Sequence, residues 1–173
     1  YQGMDLLLEA GRMLPDHAEV AIVVIGGGEA LEDYRRRVEE LGLQDRCFFI
    51  GPRPLSQLDA YLRQADLLLS PRLEGGNTPM KVYAYMMAER PIVATRLDTH
   101  TQVLDERSAV LLPPVPDAFA EAIHRLTGNA KAGRELAARA RQHVEQEYSL
   151  ERFRERTESL YDHLRRTPAS AEG

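Results

Sequence analysis

The sequence predicts a doubly wound α/β domain built on a parallel sheet, and three observations carry that reading. Five short apolar runs, Val20–Ile25, Cys47–Ile50, Asp66–Leu69, Ile92–Thr95 and Ala109–Leu112, are rich in Val, Ile, Leu and Phe and lack two-residue alternation. Such runs suit strands covered on both faces. Longer segments with three- and four-residue apolar spacing separate them, and strand-helix-strand repeats of this kind close by right-handed crossovers. Glycine- and proline-bearing turns, Gly26-Gly27-Gly28 and Gly51-Pro52-Arg53, follow the first two runs.

Taken in order, residues 4–14 place Leu7, Leu8, Met13 and Leu14 on one side of a first helix. After the first strand, Leu31, Tyr34, Val38 and Leu41 mark a helix over 29–41, and Leu55, Leu58, Tyr61 and Leu62 mark one over 55–64. A helix over 79–89 opens at Pro79, a residue suited to a first turn because it lacks only an N–H that would go unpaired there. Thr99-His100-Thr101 opens a short helix after the fourth strand. The stiff connector Pro113-Pro114-Val115-Pro116 then leads to three helices, at 117–127, 130–147 and 150–165, the last capped by Ser149. The domain is therefore expected over 1–166, with a small, polar, frayed tail at 167–173.

The 173 residues are 43% hydrophobic and 28% charged, the balance of a soluble globular domain and not of collagen, a disordered chain or a coiled-coil rod. Lys plus Arg is 22 and Asp plus Glu is 27, a formal net charge of −5. With no basic stripe and no interleaved aromatics, nucleic acid is not an expected partner. The single cysteine, Cys47, excludes an internal disulfide and a cysteine-cluster metal site, and the remaining residues offer no metal spacing. No apolar run approaches the ~18 residues of a membrane span. A cytoplasmic location is expected, with any membrane association peripheral, at the inner face and through a further domain; the start at Tyr1 suggests a piece of a longer protein.

Ligands of open α/β sheets bind beyond the carboxyl ends of the strands. The richest loop there is Ser70-Pro71-Arg72-Leu73-Glu74-Gly75-Gly76-Asn77-Thr78-Pro79-Met80-Lys81. Amides at the start of the following helix favour an anion, Arg72 and Lys81 supply two cations, and Gly75 and Gly76 admit a ligand close to the backbone. The plain alternative is a Thr78-capped helix after a polar loop. Gly27 lies in a second backbone-exposing turn that does not complete a dinucleotide fingerprint, and Arg53 offers one further cation. His100 reads either as a contact to phosphate or sugar hydroxyl or as a capping or surface residue. No GxSxG elbow occurs and Cys47 lies inside a strand, so nucleophilic catalysis has no candidate.

As an ordered set, Phe48-Phe49-Ile50-Gly51-Pro52, Ala65-Asp66-Leu67-Leu68-Leu69-Ser70-Pro71, Pro79-x-Lys81-x-Tyr83-x-Tyr85-Met86 and Arg90-Pro91-Ile92-Val93-Ala94-Thr95 resemble the C-terminal half of a GT-B, family 4-type retaining glycosyltransferase. The resemblance covers nearly the whole chain. It implies a Rossmann-like donor-binding half whose first strand lies upstream, and a separate N-terminal Rossmann-like domain that binds a glycan, lipid or small-molecule acceptor. It further implies a UDP- or GDP-type nucleotide-sugar donor, no permanently bound cofactor and no metal. Arg53 falls in the region that lines the base, and the amides of Thr78, Pro79, Met80 and Lys81 on those facing the diphosphate; with Gly27, Arg72, Gly76 and Asn77, read from the loops themselves, they make the expected donor-binding set. The first of the family's two glutamates falls on Gly76 or on Glu74; Glu74 is the expected catalytic residue, with Glu74 or Asn77 orienting sugar hydroxyls. Gln2 stands where many members carry a lysine, and the family's ribose-contacting glutamate falls on Ala84 or on Val82. The alternative is a degenerate nucleotide-binding or regulatory domain without catalysis.

Overall fold

The computed structural model describes residues 2–166, so the expected tail at 167–173 lies outside the described residues. Helix α1 (Met4–Met13) leads to strand β1 (Ile22–Ile25), α2 (Leu31–Glu40) and β2 (Cys47–Gly51). A 3-10 turn at Leu55–Gln57 runs into α3 (Leu58–Gln64), followed by β3 (Leu68–Ser70), α4 (Lys81–Met87), β4 (Ile92–Thr95), α5 (Asp98–Thr101) and β5 (Val110–Leu112). Three helices close the described residues: α6 (Pro116–Thr127), α7 (Ala130–Glu147) and α8 (Leu150–Arg166). Each strand and helix read from apolar spacing is present, with ends offset by up to three residues, the largest offset being at α3, whose expected first turn is the 3-10 turn. Every strand pair is parallel, with Ile22 opposite Cys47, Leu68 opposite Ile92 and Val93 opposite Val110.

Hydrogen bonding divides the strands into two sheets, β1–β2 and β3–β4–β5. Helix α1 spans the division. Its Leu6, Leu7 and Leu8 share one buried cluster with Ile22 of β1, Cys47 of β2, Val93 of β4 and Phe119 and Ile123 of α6. On the other side of β4, Ile92 and Ala94 pack with Val82 and Met86 of α4 and Ala140 and Val144 of α7. Strand β4 is consequently buried at all four positions, as expected of a strand between two helix layers.

That expectation fails for the other sheet. Val23 is 53%, Ile25 38% and Phe48 41% exposed, so β1 and β2 are covered on one face only. Their unbroken apolar composition therefore reports a surface that nothing covers among the described residues. Helix α8 is similar: Leu150, Phe153, Leu160, Tyr161 and Leu164 are exposed at helical spacing, while Arg152–Glu155 and Arg156–Glu147 pair beside them. Ser149 caps it as expected, its hydroxyl accepting from the Arg152 N–H at 3.3 Å.

Both ends of α1 are pinned. Arg46 donates to the carbonyls of Gly11, Leu14 and Pro15 at 3.1, 3.1 and 3.0 Å, satisfying groups a helix end leaves open. At the other end Gly3 has φ 77°, and a Cβ there would lie 1.8 Å from the Pro71 carbonyl oxygen. Only glycine fits so close to the segment leaving β3. Gly3→Ala is expected to cost more than about 2 kcal/mol of stability, read as a lowered thermal midpoint; an unchanged midpoint would contradict the packing of α1 on Pro71.

Candidate functional site

The close approach of Gly3 to Pro71 carries Gln2 to the carboxyl end of β3. There the Lys81 ammonium donates to Gln2 Oε1 at 3.5 Å, joining residues 79 positions apart. Lys81 is half-buried; burial and then the nearby Arg72 charge hold its pKa below the ordinary lysine value. Its charged form is thus short of compensation, the condition in which a lysine gains most from an anion.

Arg72 has a different place from the one the sequence suggests. It is only 5% exposed, and its guanidinium turns back into the loop it precedes. Nε donates to the Glu74 carbonyl at 2.6 Å, Nη1 to the Asn77 carbonyl at 2.9 Å and Nη2 to Asn77 Oδ1 at 3.2 Å. These donors shape the loop backbone, while the Arg72 charge stays close enough to Lys81 to lower its pKa. Gly75 (φ 143°) sits directly against the guanidinium, where a Cβ would meet Nη2 at 1.8 Å.

The helix after the loop also differs from expectation. It begins at Lys81, with Met80 at the cap and no side-chain capping bond, because the preceding turn is closed by the Val82 N–H to the Pro79 carbonyl at 3.0 Å. The Thr78 hydroxyl is not a helix cap; it donates to Gln102 Oε1 at 2.8 Å and ties the loop to α5. Pro79 is buried, whereas Glu74, Gly76, Asn77 and Met80 are exposed.

Gly27 and Arg53 come together over the other sheet. The Gly26 N–H donates to the Gly51 carbonyl at 3.2 Å, and a Cβ on Gly27 would lie 3.7 Å from Pro52. Arg53, exposed, donates to the Tyr61 hydroxyl at 3.2 Å and the Pro52 carbonyl at 3.1 Å. The structure therefore unites Gln2, Arg72, Asn77 and Lys81 beyond β3, and places Gly27 and Arg53 beyond β1 and β2.

The family described as "Glycosyl transferases group 1" matches residues 1–129. The chain belongs to this family. Curated relatives include the D-inositol 3-phosphate glycosyltransferase of Jonesia denitrificans, 27% identical over 154 residues, covering 84% of this chain and 36% of the relative. The phosphatidyl-myo-inositol mannosyltransferase of Mycobacterium leprae is 29% identical over 134 residues, covering 74% and 34%. The chain thus spans about a third of the curated relatives it matches. Among solved structures, Anabaena HepE in complex with UDP superposes with a TM-score of 0.81 at 19% identity, over 94% of this chain and 46% of that one. A complex of S. aureus TarM with UDP and further ligands superposes with a TM-score of 0.81 at 22% identity, over 92% and 33%. Sucrose-phosphate synthase from Thermosynechococcus elongatus gives 0.81 at 22%, over 94% and 42%. These likenesses establish the fold, one Rossmann-like half of a GT-B arrangement.

In this group 1 family member, the two positions expected in place of a ribose-contacting glutamate differ in burial. Val82 is wholly buried in the core between α4 and β4, whereas Ala84 is half-buried.

His100 lies neither at a ligand nor on the surface: it is fully buried. Its Nδ1 lies 2.8 Å from the Thr95 carbonyl, which can only accept, so Nδ1 carries the proton and Nε2 accepts from the Ser70 hydroxyl at 2.9 Å. Thr95 Oγ1 in turn donates to the Arg72 carbonyl at 2.5 Å. The network joins the ends of β3 and β4 beneath the loop. Its sequence signal is the pair of small hydroxyl residues, Ser70 and Thr95, ending two buried strands.

Desolvation first, and the Lys81 and Arg72 charges after it, hold the His100 pKa below the ordinary histidine value. Between the folded and unfolded pKa values the unfolded chain binds a proton that the folded one excludes, so stability falls as pH drops below about 6.5. Thermal melts of wild type across pH 7 to 5 should show this loss, and His100→Gln should abolish that component while lowering the midpoint at pH 7. Identical pH profiles would refute the neutral bridge.

Proposed function

We propose that this chain is the donor-binding half of a retaining glycosyltransferase, in which the Lys81 ammonium and the backbone of Asn77–Met80 hold the diphosphate of a UDP- or GDP-type sugar. The observation that carries the reading is Lys81 itself: a half-buried cation at the carboxyl ends of parallel strands, met by a neutral glutamine oxygen in place of a carboxylate. Membership of the group 1 family supports it, as do the UDP and UDP-glucose held by the structurally similar HepE. Departure of a nucleoside diphosphate builds negative charge between the phosphates and the sugar, and preorganised donors lower that barrier without covalent help. Glu74, exposed on the loop, then serves the sugar side.

A glycan, lipid or small-molecule acceptor belongs to a further half of the same protein. The names of the inositol phosphate and phosphatidylinositol relatives fit that range. The apolar surfaces left open on β1, β2 and α8 are of the kind another unit covers. One observation favours the alternative of a nucleotide-binding half without catalysis: Ala84 supplies no carboxylate to a ribose.

Titrating UDP into wild type and Lys81→Ala tests the donor site directly. Wild type should bind, and the variant should lose affinity by about tenfold or more, the worth of one charge-assisted contact. Because the charged lysine binds the anion, wild-type affinity should fall as pH rises through a Lys81 pKa that lies below the ordinary lysine value of 10.5. A flat profile, or equal affinities in both proteins, removes the proposal.

The same reading puts one more strand ahead of Gln2. Strand β1 pairs with β2 and β3 pairs with β4, which leaves each with one open edge. The chain enters α1 pressed against Pro71 beside the end of β3. A parallel strand between β1 and β3 would join the sheets, with α1 as its right-handed crossover to β1. A chain extended by about ten natural upstream residues, room for one strand and its turn, should melt higher and slow hydrogen exchange in β1 and β3. Unchanged protection of those amides would dismiss the strand.

A further inference from the structure

We infer that Arg72 is a positioning residue for the donor loop, acting through an interlock with Gly75 and not by touching the phosphates. The inference rests on the donor-site reading above and adds a residue whose role that reading left open.

The argument starts from where the charge lies. A buried guanidinium requires acceptors for its fork of donors, because an unmet charge in a low-dielectric setting is costly. Arg72 finds them in the loop that follows it: the Glu74 carbonyl, the Asn77 carbonyl and the Asn77 side-chain oxygen. The grip on Asn77 is two-pronged, at 2.9 and 3.2 Å, so it fixes both the position and the orientation of that residue. The main chain of Arg72 is itself anchored, since its carbonyl accepts from Thr95 Oγ1 at 2.5 Å. One residue therefore refers the loop to the end of β4 and draws residues 73–77 around its own side chain.

Gly75 completes the device. The loop passes so close that a Cβ at 75 would stand 1.8 Å from Nη2 and 2.3 Å from Cζ, and its φ of 143° is one that side chains rarely adopt. Two residues downstream is Asn77, and from there Thr78, Pro79 and Met80 run to Lys81. Loosening the interlock displaces that whole stretch relative to the Lys81 ammonium. A lysine at 72 would keep the charge but present no planar fork, so it could not reproduce the three bonds.

The test uses the 173-residue chain with UDP as the probe and three variants: Arg72→Lys, Gly75→Ala and the double. Calorimetric titration should show each single variant binding UDP about tenfold more weakly. The double variant should be little worse than either, because both break one interlock. Amide spectra recorded without UDP supply the readout that separates positioning from direct contact. Residues 73–81 should shift in Arg72→Lys and Gly75→Ala alike, with the strands unmoved. Losses that add fully in the double variant, or ligand-free spectra unchanged around 73–81, overturn the inference. Gly75 is exposed and removes no donor, so its variant carries the test even where Arg72→Lys folds poorly. If wild type binds no UDP, the donor-site reading fails, while the ligand-free spectra still decide whether Arg72 sets the loop.

Discussion

Thr95 Oγ1 donates to the Arg72 carbonyl, and the Thr95 carbonyl accepts from His100, whose other ring nitrogen accepts from Ser70. These three bonds connect the carboxyl ends of two adjacent parallel strands in a place no water reaches. A parallel pair has evenly spaced but slanted bonds and is slightly less stable per residue than an antiparallel one, and side chains add to what joins these two strand ends. Here a neutral imidazole is the spacer. The loop that leaves β3 therefore starts from a fixed point, and everything beyond it, from the Arg72 fork to the placement of Lys81, inherits that origin. The neutrality of His100 follows first from its burial and then from the Lys81 and Arg72 charges nearby.

The two sheets bear unequal burdens. Strand β4 is buried throughout, with one cluster on either side of it, and it supports the loop of greatest chemical interest. Strands β1 and β2 are half-covered and carry the turns at Gly27 and Arg53. Helix α1 is what holds the two together, through leucines that reach both sheets and a glycine pressed on Pro71. The rigid part of the site thus lies over β3 and β4. The part over β1 and β2 rests on strands covered on one face only, and less buried segments open more readily.

Apolar periodicity was a sound guide to the elements because each helix buries a stripe and each strand a run, and both leave a local trace. Ser149 and the proline run behaved as their backbone chemistry requires. What local pattern could not reveal was direction. Nothing in Pro71-Arg72-Leu73 says whether the arginine faces solvent or folds inward; the answer depends on Thr95 and Asn77, one of them 23 residues away. His100 misled for the same reason, since a histidine in a polar stretch reads as surface until Ser70, 30 residues earlier, is seen to meet it. A Thr78 cap is the plain alternative that composition offers, but its hydroxyl finds a partner in Gln102 at the end of α5. The over-reading of β1 and β2 as doubly covered strands arose because an apolar run records what a face can be packed against, not what packs on it.

The electrostatics of the loop distinguish two cations that look alike in sequence. Arg72 is compensated: carbonyl and amide oxygens surround its fork, and moving it would leave them unmatched. Lys81 meets Gln2 Oε1 at 3.5 Å, a neutral acceptor at the limit of hydrogen bonding. A carboxylate at position 2 would neutralise the ammonium and compete with any anion for it. A lysine there would add a third charge beside Arg72 and depress both lysines further. Glutamine does neither. It orients the ammonium through a weak bond while leaving its charge available, so the departure at position 2 from a common family lysine is compatible with anion binding, at the cost of one contact.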